Sequence, residues 1–278
     1  MIPIDSLIAK NYSNFNVIYQ SDKSYVMQAF DEHYHPVLLK SFIKSSKSLS
    51  FIMDTDYNRN IPLELFFLIR LTGYGFVPKL LNFHDGDGDD DEDGERSTVV
   101  MEFLNDDWMD LFDYISSNND ENCIRVIMNN IIISMYKMCQ LGYYYRDIKP
   151  ENIMVNTNTM EIKFIDLEDM FYSVLPDPIC KSTVGTVGYK SPESFDDSFY
   201  RLKPSLVFSI GCLAYVSLEA SMAFDSEEET RQCNRHPLQM SNCSTQAECF
   251  VTKCTAFNVE DRINFHNLLD DEWFMNGK

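Results

Sequence analysis

The first 72 residues contain no glycine; Gly73 is the first in the chain. That absence excludes a glycine-rich loop in this stretch, the kind whose bare backbone amides close around phosphates. Basic residues are also scarce. Against 43 Asp and Glu there are 23 Lys and Arg, and the net charge is −20 at pH 7. A surface of that sign repels nucleic acid and anionic membranes, so neither is expected as a partner, and basic proteins or peptides are favoured instead. No apolar run approaches the ~18 residues needed to span a bilayer. The opening MIPIDSLIAK has no basic segment followed by an apolar core, so no secretory signal is expected. An intracellular, cytoplasmic protein is the expectation, with the nucleus left open. Of the eight cysteines, the closest group (Cys233, Cys243, Cys249, Cys254) has no C-x-x-C pair and no zinc-finger spacing. Reduced thiols follow. The acidic run at 85–95, DGDGDDDEDGE, superficially suits calcium. The bidentate glutamate of a calcium loop begun at Asp85 or Asp87 would fall on Arg96 or Thr98, however, so a solvated acidic loop is expected.

At 278 residues, 45% of them hydrophobic and 24% charged, the chain can bury a core as one large domain or two packed lobes. Its first hundred residues read as short strands around one helix. NFNVIYQ, SYVMQAF and PVLLKSF are rich in aromatic and branched residues between polar turns, and FVPKLLNFH and STVVMEFL bracket the acidic run. In IPLELFFLIRL, Leu63, Phe66, Phe67 and Leu71 fall at helical spacing, with Glu64 near the start. From Trp108 the pattern becomes helical, in WMDLFDYI, CIRVIMNNIIISMYKMCQL and SLVFSIGCLAYVSLEA.

The most specific signal is YRDIKPENIMVN, residues 145–156, which sets Asp147, Lys149 and Asn152 on one short turn. Ten residues on, Asp166 closes the strand-like EIKFID. One carboxylate can orient an attacking hydroxyl, an ammonium can neutralise a moving phosphoryl group, and an amide with a second carboxylate can hold Mg²⁺. This spacing resembles the catalytic loop of eukaryotic protein kinases, H-R-D-x-K-x-x-N. The resemblance runs from about 13 to 275 and implies an α+β, two-lobed fold: a small β-rich N-lobe at about 13–103 and a larger helical C-lobe at about 104–275.

It also implies roles. Asp147 becomes the catalytic aspartate and Lys149 its phosphate-neutralising partner. Asn152 and Asp166 become Mg²⁺ ligands, and ATP the phosphoryl donor. Lys40, ending PVLLK, would hold the α- and β-phosphates and pair with Glu64. That separation is longer than usual, so SSKSLSFIMDTD looks like an insertion. Leu38, Met101 as gatekeeper, Glu102, Phe103 and Met154 would surround the nucleotide base. GTVGYKSPE is similar to the family's G-T-x-x-Y-x-A-P-E: Thr186 would bond Asp147 and Lys149, and Glu193 would pair with Arg262. Ser182 falls where activation-loop phosphorylation often occurs, with Arg146 as counter-charge. Lys149 with Thr186 is the serine/threonine-type combination, which implies a protein Ser or Thr as acceptor. Glu151, with Asp106, Asp107 and Asp110, leans toward a basic substrate, although the acidic partner expected on the central helix is Val216.

Several positions depart from the family pattern. The three glycines of its phosphate loop would lie over Tyr19, Ser21 and Ser24. Leu38 replaces a small alanine under the adenine, DLE with Glu168 replaces D-F-G, Leu206 replaces an anchoring aspartate, and Tyr145 replaces a histidine. These leave two readings beside the active enzyme. One is a pseudokinase acting as a protein-interaction module. The other is a small-molecule kinase, which would not be expected to carry Lys149 at that offset or the Ser191-Pro192-Glu193 element.

Overall fold

In this computed structural model the described residues are 6–43, 50–54, 59–85, 96–118, 120–181, 184–196, 198–235 and 238–275. The chain divides into two compact units, residues 1–106 with 165–168 and residues 107–164 with 169–278. The first is β-rich and the second mainly helical, the α+β two-lobed division that the resemblance implies.

The first unit begins with α1 (Ser6–Asn11), β1 (Ser13–Gln20), β2 (Ser24–Phe30) and β3 (Pro36–Ile43). Next come β4 (Phe51–Asp54), β5 (Arg59–Pro62), α2 (Leu63–Leu71), β6 (Leu80–Asp85) and β7 (Arg96–Glu102). Five strands form one antiparallel sheet in the order β1-β2-β3-β7-β6. Successive side chains of a strand point to opposite faces. Met27, Ala29, Val37, Leu39 and Val100 therefore line one face and bury with Ile8 from α1. Leu38 and Lys40 lie on the other, opposite Met101 and Val99 respectively. The apparent insertion before α2 supplies β4, which pairs as a hairpin with the β5 that follows it. Two four-residue strands with little apolar alternation leave almost no periodic signal, which is why the sequence pattern hides them. In FVPKLLNFH the strand starts only at Leu80, because Phe76 and Val77 are buried in the preceding turn and Pro78 has no amide for a ladder. The acidic run beyond Asp85 lies outside the described residues.

The second unit opens with β8 (Trp108–Asp110), α3 (Leu111–Ser117), α4 (Glu121–Gln140) and β9 (Tyr143–Tyr144). After β10 (Ile153–Asn156) and β11 (Ile162–Phe164) come β12 (Phe171–Tyr172), β13 (Ile179–Cys180) and β14 (Tyr200–Arg201). The helices α5 (Leu202–Glu219), α6 (Glu227–Arg231), α7 (Thr245–Cys254) and α8 (Glu272–Met275) complete it. WMDLFDYI is thus not one helix. Its first three residues pair with β10, and the Asp110 carboxylate then accepts from the Asp113 amide (2.8 Å) as the cap that starts α3. At the end of α4, Gly142 takes φ +84°, and a Cβ there would meet the Ser173 carbonyl oxygen at 2.6 Å. Glycine is required at that exit, which delivers the chain into β9 and the catalytic-loop sequence. By length and composition α5 could cross a membrane, but 83% of it is buried as the core helix of this unit. All eight cysteines are free thiols.

Candidate active site

Strand alternation sets the geometry of the first unit's polar cluster. It turns Lys40 away from the apolar core and toward α2, where Nζ lies 2.5 Å from Glu64 Oε2. Glu64 is in the first turn of α2, where the helix dipole favours a carboxylate, and it is buried. Burial pulls the Lys40 ammonium down, but the Glu64 and Asp166 carboxylates outweigh it and its pKa is raised. Asp166 Oδ1 is 3.7 Å from Lys40 Nζ. The strand in EIKFID ends at Phe164, two residues before Asp166, which adopts φ +58°. A non-glycine residue in that region carries strain, as often at functional positions, and aspartate tolerates it better than most.

Leu38 is half-buried on the Lys40 face, and its cross-strand neighbour Met101 is buried. Glu102 ends β7 with its carboxylate held by the Lys79 amide at 2.7 Å, and the half-buried Phe103 follows it. At the β1–β2 turn, Tyr19 is 58% exposed. The Ser21 hydroxyl accepts from the amides of Lys23 (3.2 Å) and Ser24 (3.1 Å). A side chain therefore holds the amides that a glycine loop would leave open. Lys23 Nζ lies 2.8 Å from Glu168 Oε1. Sequence reasoning missed this pair entirely.

In the second unit the loop after β9 brings four of the expected residues together. Asp147 is 7% exposed. Its Oδ1 accepts from the Thr186 hydroxyl at 2.6 Å, and Oδ2 accepts from the Asn152 amide nitrogen at 2.8 Å. Lys149 Nζ is 3.0 Å from Oδ2 and donates to Thr186 Oγ1 at 3.3 Å. A carboxylate offers about four lone-pair sites. Three are taken, two of them on Oδ2, which leaves one on Oδ1 for an incoming hydroxyl. The Asn152 nitrogen also donates to the Asp147 carbonyl oxygen (3.1 Å), so both of these bonds are made by nitrogen and the amide oxygen is turned to the other side. A 3-10 turn, Pro150–Asn152, fixes that orientation. Met154 follows in β10, half-buried and opposite Asp110 and Lys163.

Around this loop the departures are accommodated by packing. Tyr145 is buried, with its ring centroid 4.7 Å from that of Phe164, so it serves as a core aromatic where the family has histidine. Leu206 is buried in α5 and cannot accept a hydrogen bond, so it offers the loop no polar anchor. Arg146 donates to the Asp169 carbonyl oxygen at 2.7 Å and lies over the Phe171 ring. Its expected phosphate site, Ser182, lies outside the described residues. Glu193 and Arg262 form a two-pronged pair at 2.7 and 2.8 Å. Arg262 is almost fully buried and also donates to the carbonyls of Pro204, Ala256 and Phe257. Ser191, where the family has alanine, bonds Ser205 of α5 at 2.7 Å, a second tie that sequence reading missed. Glu151 is exposed and Val216 is buried in α5.

No group of three or more His, Cys, Asp or Glu that could hold a metal occurs among the described residues. Mg²⁺ takes one or two protein oxygens and completes its octahedron with water and phosphate. The Asp166 carboxylate of the first unit and the Asn152 amide oxygen of the second are each a hard oxygen of that kind.

The fold of the two units and the residues in each cluster are those of a protein kinase domain. Residues 89–274 match the protein kinase domain model, and the chain belongs to that family. It is similar to the serine/threonine-protein kinase pim-2 of Danio rerio, 30% identical over 60% of this chain and 53% of the relative. The serine/threonine-protein kinase cds1 of Schizosaccharomyces pombe is 26% identical over 66% of this chain and 42% of its own length. The serine/threonine-protein kinase prk-2 of Caenorhabditis elegans is 26% identical over 77% and 47%. The chain thus spans about half the length of the curated relatives it matches.

Proposed function

We propose that this chain is a serine/threonine protein kinase that transfers the γ-phosphoryl group of ATP to a protein hydroxyl. The observation that carries the reading is the partial occupation of the Asp147 carboxylate: Thr186, Asn152 and Lys149 occupy three of its four or so lone pairs and leave one for the acceptor. The acceptor oxygen attacks the γ-phosphorus, the bond from that phosphorus to the β,γ-bridging oxygen breaks, ADP departs, and the acceptor proton passes to Asp147. Lys149 neutralises charge on the moving phosphoryl group. Lys40, held by Glu64, grips the α- and β-phosphates. Leu38, Met101, Met154 and the backbone of Glu102 and Phe103 receive the base. Asn152 and Asp166 would hold Mg²⁺, which when bound neutralises the phosphate oxygens. Thr186 beside Lys149 supports a Ser/Thr acceptor, and the net charge of −20 supports a basic one in an intracellular setting. Phosphosite mapping by mass spectrometry, on a basic peptide library incubated with Mg-ATP, tests this. Phosphoserine or phosphothreonine is expected, and a library left unmodified by wild type would contradict it.

A second reading is a kinase-shaped interaction module without turnover. One observation favours it: the Ser21 hydroxyl holds the turn amides that would otherwise meet phosphate. Melting with and without Mg-ATP separates the two, because a ligand stabilises the folded state only if it binds. The enzyme reading predicts a raised Tm.

A further inference from the structure

The β1–β2 turn has no glycine, and its Lys23 and Ser24 amides are held by the Ser21 hydroxyl, yet it carries a cation aimed at the nucleotide-handling cluster of its own unit. Lys23 Nζ is 2.8 Å from Glu168 Oε1. Glu168 is two residues beyond Asp166, whose carboxylate is 3.7 Å from Lys40 Nζ, and its charge is felt at Lys40. Two lysines and two carboxylates of Asp166–Glu168 therefore form one charged group. The Ser21 hydroxyl fixes the turn at the Lys23 amide, so the backbone that carries the Lys23 side chain is held. The Lys23 and Glu168 side chains are 34% and 26% exposed, so the pair is open to an incoming anion.

We infer that Lys23 is a phosphate-binding residue for the nucleotide, an ammonium on the turn in place of glycine amides, with Glu168 as its counter-ion until phosphate arrives. This rests on the proposed ATP-binding reading. A partly exposed ion pair contributes little by itself, so exchanging carboxylate for phosphate oxygens is inexpensive. Triphosphate carries more charge than the single carboxylate it displaces, and a lysine binds phosphate well as a point charge. Glu168 thus keeps Lys23 over the cluster and also competes with the ligand for it.

Binding of Mg-ATP, Mg-ADP and adenosine, measured by calorimetry on wild type, Lys23→Met, Glu168→Gln and the double variant, tests the inference. Lys23→Met should weaken Mg-ATP about tenfold or more, the order expected for one charge-assisted hydrogen bond, and leave adenosine unchanged. Glu168→Gln should bind Mg-ATP at least as tightly as wild type. The double variant should stay about tenfold weaker than Glu168→Gln. If the double variant regains the affinity of Glu168→Gln, Lys23 only shields Glu168 and the inference is wrong. Equal Mg-ATP affinity in wild type and Lys23→Met also overturns it. Wild type that binds no Mg-ATP at all defeats the enzyme reading itself, a result distinct from either.

Discussion

Arg262 shows how much one buried residue can hold. Its guanidinium reaches both Glu193 oxygens and three backbone carbonyls, and it lies over the Phe208 ring. Arg262→Met would leave the half-buried Glu193 carboxylate without its partner and strand those carbonyls. Urea denaturation should show a loss of about 3–5 kcal/mol, and Arg262→Lys should recover only part, because an ammonium cannot reproduce the planar two-pronged fork. The grouping of Asp147, Lys149 and Asn152 was legible in their spacing, whereas this pair and the Thr186 bonds were expected only through the resemblance of GTVGYKSPE to the family's motif. The Lys23–Glu168 pair joins residues 145 apart with no motif linking them, so nothing local announces it. Ser21 did leave a signal: a serine in a tight turn commonly bonds amides two and three residues on. Sequence reasoning registered only the missing glycine.

At the scale of elements, the packing of α5 on α7 depends on Gly211. A Cβ there would meet Cys254 Cβ at 2.6 Å and Thr255 Cγ2 at 2.8 Å. Neither is the far end of a flexible chain, so the helices would have to separate. Gly211→Ala is expected to cost about 1–3 kcal/mol in chemical denaturation, although alanine is the better helix former. A second junction gathers three helices on Glu121 at the start of α4. Its carboxylate accepts from the Ser244 hydroxyl (2.6 Å) and amide (2.7 Å) and from the Trp273 indole (3.0 Å). Burial pushes this carboxyl up, but the Ser244 and Trp273 hydrogen bonds outweigh it and hold it below the usual carboxylate range. A depressed folded pKa stabilises above the unfolded value of about 4.3 and loses that contribution as pH falls through the folded one. Stability should therefore decline on acidification below about pH 4.3, and Glu121→Gln should show a shallower decline in urea midpoint across that window. The bonds to Glu121 join residues 123 and 152 apart, beyond the reach of periodicity. The long amphipathic α4 and the apolar core helix α5 were readable, whereas the three-residue β8 at the head of WMDLFDYI and the β4–β5 hairpin were not, being too short to show a period.

For the molecule as a whole, the net charge of −20 bears on substrate choice more than on fold. Phosphorylation of a basic peptide should weaken with added salt mainly through a rising peptide KM, since screening acts on encounter. A neutral peptide should show little salt dependence. The central claim is that Lys40, Glu64, Asp147, Lys149, Asn152 and Asp166 suffice for transfer without a glycine loop. Asp147 is expected to supply about 10²–10⁴-fold of the rate, as a positioned base does. The direct measurement is the rate of labelled γ-phosphate transfer to a basic peptide across Mg-ATP concentrations into the millimolar range, with Asp147→Asn alongside. The account predicts saturable transfer by wild type, lost in the variant by that factor. Identical background from both proteins at every ATP concentration would contradict it and leave a kinase fold that does not turn over.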